Sequence, residues 1–89
     1  MDGPDHHRMR RGENESKAAR SPAPDAQGLV EFACECTNSD CERSVRVPLY
    51  VYRRILAAGN QSLLQAGHHA FPSYRTIVSV GLLSIEESV

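Results

Sequence analysis

Cys34, Cys36 and Cys41 form a C-x-C-x4-C cluster, and His68 and His69 follow Gly67 much later in the chain. Thiolate sulfur and imidazole nitrogen are the donors Zn2+ prefers, and four of them arranged tetrahedrally make a structural site. In an extended segment Cys34 and Cys36 project to one side and Glu35 to the other, because alternate residues share a face. Thr37-Asn38-Ser39-Asp40 is a run of turn-forming residues that can fold Cys41 back toward the first two sulfurs. The fourth ligand must then come from across the domain. His68 is the expected one, since it directly follows Gly67; His69, facing the other way in extended chain, is the alternative ligand and otherwise a solvated loop residue. His6 and His7 are weaker candidates. The expected cofactor is one structural Zn2+.

Other chemistries suit these residues less well. Free cysteines are commonly small buried hydrophobes, but three within eight residues, among Glu35, Glu42 and polar turn residues, make a poor apolar cluster. An odd count and a very tight Cys34 to Cys36 ring oppose a disulfide framework, and an iron-sulfur cluster wants four thiolates or a pair of histidines. A thiol redox switch shared with zinc stays open.

A staple is what a chain of 89 residues needs. Residues 1–28 carry Arg8, Arg10, Arg11, Lys17 and Arg20 against Asp2, Asp5, Glu13, Glu15 and Asp25, with only Met1 and Met9 as large apolar side chains. Such a segment lacks an apolar stripe at i, i+3, i+4 spacing, so it is expected to be a disordered charged leader, any helix in it being solvated or formed against a partner. Ser21-Pro22-Ala23-Pro24 reads as a linker. Residues 29–89 are left as a single α+β domain. A core that small rarely supplies more than ~3 to 5 kcal/mol, whereas structural zinc contributes an apparent ~10 to 16 kcal/mol in small peptides.

Positioning the ligands falls to short elements. Leu29 to Cys34 is a β-prone run entering the turn, and Val45 and Val47 alternate with Arg46 as the return strand. Pro48 suits a first helical position, and Leu49, Tyr52, Ile55 and Leu56 recur at helical spacing until Gly59-Asn60 stops them. Ser62 to Gln65 fits a strand, and Gly67-His68-His69 a loop. Thr76 to Val80, then Leu82 to Glu87, read as a second hairpin pivoting on Gly81, with a helix through Ile85 as the competing reading. The expected architecture is thus two hairpins and one short amphipathic helix around one metal.

Phe32, Cys34, Cys36, Cys41, Val45, Tyr52 and Gly67-His68 together resemble a group of small bacterial proteins bearing Phe-x-Cys-x-Cys-x4-Cys and a later Gly-His. The likeness spans about residues 29–89 and implies a zinc-ribbon-like domain. Where those proteins usually show Pro-Gly-His with an acidic residue soon after, this chain has Ala66-Gly67-His68 followed by Ala70-Phe71-Pro72-Ser73.

Composition narrows the function. Ten Lys plus Arg against eleven Asp plus Glu give a net charge of -1, which removes the general pull toward polyanions. No apolar run approaches the ~18 residues of a membrane span, and charges stand where a signal peptide needs apolar residues, so a cytoplasmic location and no membrane partner are expected. Three cysteines and a histidine fill a zinc shell and leave no position for a reactive water. Without a histidine ligand the site would open, with Glu35 or His69 as conceivable proton carriers in a hydrolase- or deaminase-like role, but the His-x-Glu motif of zinc deaminases is missing. The leading expectation is a regulatory or protein-interaction module without catalytic activity, able to homodimerise, with Tyr50, Val51 and Leu63-Leu64 as possible apolar anchors. The alternative is a nucleic-acid-binding zinc ribbon using Arg46, Arg53, Arg54 and Tyr50, although arginine pairs on an amphipathic helix are most often its solvated side.

Overall fold

The structure, a computed structural model, describes residues 4–20 and 28–88. Its elements run α1 (Pro4–Ala19), β1 (Leu29–Ala33), β2 (Ser44–Pro48), α2 (Leu49–Ala58), β3 (Gln61–Gln65), β4 (Tyr74–Val80) and β5 (Leu83–Ser88). Among the described residues, two helices and two small antiparallel sheets make a small α+β fold. The Ser21-Pro22-Ala23-Pro24 linker lies outside the described residues. No helix among the described residues is long and apolar enough to cross a membrane.

The first hairpin follows its alternation. Val30 pairs with Val47 and Phe32 with Val45, all buried, while the intervening Glu31 and Arg46 face outward, 3.9 Å apart. Burying a side chain such as Phe32 is worth about 1.5–3 kcal/mol relative to leaving it in water. Pro48 closes β2, so α2 begins one residue later than its sequence suggests and has no side-chain cap. Tyr52 and Ile55 drive into the core with Leu49, Val51 and Leu56 packed around them, and the Tyr52 ring stacks on Phe32 with centroids 4.3 Å apart. Gly59, at φ 82°, ends the helix in the left-handed conformation that side chains resist, and its N–H donates to the Leu56 carbonyl.

The second sheet has the order β3-β5-β4. The β4–β5 hairpin turns at Gly81 and Leu82 as expected, and β3 pairs along the far side of β5. Ser62, Leu63 and Leu64 are consecutive buried residues, because β3 is covered on both faces. Leu63 and Leu64 are therefore core and unavailable as surface anchors. A register shift between Thr76 and Val78 leaves Ile77 as an extra residue on β4.

The described part of the expected disordered leader is a helix of 16 residues docked on the domain. Its inner face does repeat every four residues, as His6, Arg10, Asn14 and Ala18, but only the last is apolar. Polar side chains hold it instead. The Asn14 amide donates to the Ala33 carbonyl and accepts from the Ala33 N–H, both at 2.8 Å, and Lys17 donates to the Glu31 carbonyl at 2.6 Å. The helix thereby covers the edge of β1 that β2 leaves open.

Candidate metal centre

The chain leaves β1 still extended. Cys34 N–H donates to the Arg43 carbonyl, and Glu35 N–H to the Leu63 carbonyl at 2.8 Å, so this short segment bridges the two sheets. Cys34 and Cys36 fall on one side of it. Cys41 is brought back by a turn in which its N–H donates to the Asn38 carbonyl, while the Asn38 side chain accepts from Asp40 N–H. His68 arrives on a second turn, its N–H donating to the Gln65 carbonyl at 2.9 Å with Gly67 at φ 89°. A side chain at that left-handed position would strain the turn that delivers the imidazole. The Thr37 hydroxyl donates to the Ala70 carbonyl and ties the two turns together.

One ligand atom from each of Cys34, Cys36, Cys41 and His68 lies within 4.8 Å of all the others. His68 Nδ1 is 3.6 Å from the Cys34 sulfur and 3.4 Å from that of Cys41. Bond lengths of about 2.3 Å to sulfur and 2.0–2.1 Å to nitrogen, at a tetrahedral angle, set sulfur and nitrogen about 3.6 Å apart. The four side chains can hold one metal ion. The three sulfurs are buried and the imidazole is half-buried. Burial pushes the Cys34 thiol up to about 12 despite the Gln65 N–H bonded to its sulfur, and Cys36 and Cys41 add like-charge repulsion. Burial raises Cys36 as well. A cation in their midst is what would stabilise the thiolates.

His69 does not join the cluster. Its Nδ1 lies 2.6 Å from the Glu86 carboxylate, which also accepts from Ala70 N–H and the Thr76 hydroxyl. Most of the His69 side chain remains in water, whereas that of Glu86 is buried. Pinning His69 and Ala70 fixes the loop that presents His68. His68→Ala is expected to weaken zinc binding by more than the ~10–100-fold of an outer-shell change, and His69→Ala to fall at the lower end of that range. Competition titration against a chromophoric chelator measures both; equal losses would mean that His68 is no ligand.

Glu35 points away from the sulfurs, as alternation requires, into a fully buried polar cluster. Oε1 accepts from Arg11 at 3.0 Å and from Leu63 N–H at 2.9 Å; Oε2 accepts from Asn14 at 2.9 Å and from the Tyr52 hydroxyl. Four donors saturate the carboxylate and leave it no part as a proton carrier at the metal centre. Burial, then the Glu35 charge, pushes the Tyr52 phenol up and keeps it a donor. Burial works against the Arg11 charge, yet Glu35 and Tyr52 outweigh it and the guanidinium is held more firmly protonated. Neither Arg11 nor Asn14 stands out in the sequence. The available signal is an acid alternating with two clustered cysteines, which had to face inward once they did.

Of the tail histidines, His7 binds α1 to the body. His7 Nε2 lies 2.9 Å from the Ser62 hydroxyl, and its ring packs 4.8 Å from Phe71. Burial lowers the proton affinity of His6 and His7. Arg46, Arg53, Arg54 and Tyr50 are all exposed; Arg46 faces Glu31, and Arg54 lies 5.7 Å from the Tyr50 ring centroid. Comparison of the chain with protein-family models, with curated proteins and with solved structures gives no match.

Proposed function

We propose that this chain is a zinc-stapled interaction module without catalytic activity, zinc-ribbon-like at its cysteine turn. The observation that carries the reading is the convergence of three sulfurs and one imidazole nitrogen at tetrahedral spacing. Soft thiolates with one imidazole select zinc over the harder cations, and four protein ligands complete its shell, which is the mark of a structural site. The resemblance to small bacterial zinc-ribbon-like proteins points the same way. Metal analysis of the purified protein should find about one zinc per chain; none, with a fold indifferent to chelator, ends the proposal.

The interaction part rests on β4. It lies at the edge of its sheet, and Ile77, Val78, Val80 and Leu82 are exposed, the last two at 68% and 75%. From Thr76 to Ile85 no residue is charged. Natural edge strands ordinarily carry charge against unwanted pairing, and an apolar edge left open is a template for another strand. A second copy fits it. Antiparallel pairing centred on Val78 sets Thr76 against Val80 and Ile77 against Ser79, keeping Arg75, already 3.6 Å from Glu87, clear of its mate. Sedimentation equilibrium should show a dimer that Val80→Lys with Leu82→Lys weakens at least ~10-fold, the loss of roughly 1.4 kcal/mol, with zinc content unchanged. A monomeric parent would remove this surface from the reading.

A further inference from the structure

We infer that α1 is a latch coupled to the metal centre: ion binding by the cysteine turn and docking of Pro4–Ala19 strengthen each other through Glu35. The inference rests on the metal reading above and adds to it a regulated element.

The latch follows from what α1 lacks. Of its inner face only Ala18 joins the hydrophobic core, so the burial that normally seats an amphipathic helix is nearly absent. Directional bonds replace it, and most of them converge on the ligand-bearing segment, the rest reaching Glu31, Gln61 and Ser62. Arg11 and Asn14 bond the carboxylate of Glu35, between Cys34 and Cys36; Asn14 also bonds both backbone groups of Ala33; Arg10 donates to the carbonyl of Cys41 at 2.7 Å. Each of these partners is a ligand residue or its immediate neighbour.

Geometry supplies the coupling. When Cys34 and Cys36 turn their sulfurs to one point, alternation turns Glu35 to the opposite side, where Arg11, Asn14, Tyr52 and Leu63 meet it. A strand end free to rotate about its cysteines would carry the carboxylate away from those donors. The docked helix also holds two buried nitrogens, His6 Nε2 and Arg10 Nε, without a partner among the described residues. Both oppose docking, so the balance depends on Glu35 being in place. Linkage then works in reverse: the factor by which bound metal favours docking is the factor by which docking tightens metal binding. Release of α1 would bare the open edge of β1 at Glu31 and Ala33, giving the module a surface that exists only when the metal centre loosens.

The test uses the full chain loaded with zinc, comparing the parent with Glu35→Gln, Asn14→Ala and Ile55→Val. Hydrogen exchange reports protection of the α1 amides, and competition with a chromophoric chelator gives zinc Kd. Glu35→Gln and Asn14→Ala leave all four ligands in place. They are expected to bind one zinc about 10–100-fold more weakly, with α1 protection lost while that of β3 and β5 persists. Ile55→Val removes a methylene from the core and no hydrogen bond; it should lower Tm and weaken Kd no further than that loss of stability dictates, with the α1 amides as protected as in the parent. Parent-like Kd and α1 protection in both latch variants would overturn the inference, as would the same selective loss of α1 protection in Ile55→Val at matched Tm. A parent that binds no zinc overturns the latch together with the metal reading; a parent that binds zinc confines any failure to the latch.

Discussion

Chelating the zinc at neutral pH is expected to abolish the β-sheet circular dichroism of this chain, and Cys36→Ser to prevent its recovery when metal is returned. The apparent ~10 to 16 kcal/mol of a structural zinc site exceeds the ~3 to 5 kcal/mol that so small a core supplies. The cysteine turn also has few other means of holding its shape, because what joins it to the His68 turn besides the ligands is mainly the Thr37 hydroxyl bond to Ala70 and a 3.4 Å contact from Thr37 N–H to the His69 carbonyl. Zinc affinity should depend steeply on pH. Burial raises the proton affinity of Cys34, to about 12 from 9.0, and of Cys36. Both thiols must lose their protons to bind, so apparent affinity should fall as pH is lowered, by at least about two decades per pH unit around neutrality. Competition titrations for zinc across that range check the slope. A fold that keeps its spectrum in excess chelator would show that the core stands unaided.

What was legible in the sequence was local or periodic. The Asn38 to Cys41 turn, the Val45 and Val47 alternation, the Leu49, Tyr52 and Ile55 stripe and the Gly59 stop each depend on neighbours a few residues away, and each appears in the fold. Cys34, Cys36, Cys41 and His68 were readable because few residue types bind metal, and spacing left few ways to assemble them. Helix α1 escaped for a physical reason. An apolar stripe announces burial whatever it packs against, but Arg10, Arg11 and Asn14 announce nothing until their partners at Cys41, Ala33 and Glu35 are placed beside them. Glu86 was hidden likewise: it sits in an exposed-looking acidic pair and proves buried only once the His68 loop folds over it. Polar burial is legible in contacts, and contacts between distant segments are what a single sequence does not display.

Arg11→Ala should therefore cost about 3–5 kcal/mol in the zinc-loaded protein, the loss that follows when a buried ion pair is left with one partner. In a disordered leader the same change would cost nothing. Glu35 is wholly enclosed and the Arg11 side chain only 16% exposed, which separates this pair from the open Arg46–Glu31 and Arg75–Glu87 pairs, each worth at most about 1 kcal/mol. Arg11 also donates to the Gln61 carbonyl at 2.6 Å, so its removal strips a donor from β3 while the carboxylate stays buried. Adding Glu35→Gln to Arg11→Ala should recover more than half of the loss, because the amide oxygen can still accept from Leu63 N–H and no unpaired charge remains. Urea unfolding of the single and double variants gives the coupling energy directly. A loss below about 1 kcal/mol for Arg11→Ala would place the pair among the surface ones and return residues 4–20 to the loose leader their composition suggests; a large, mostly recoverable loss makes the charged N-terminus a structural part of the domain.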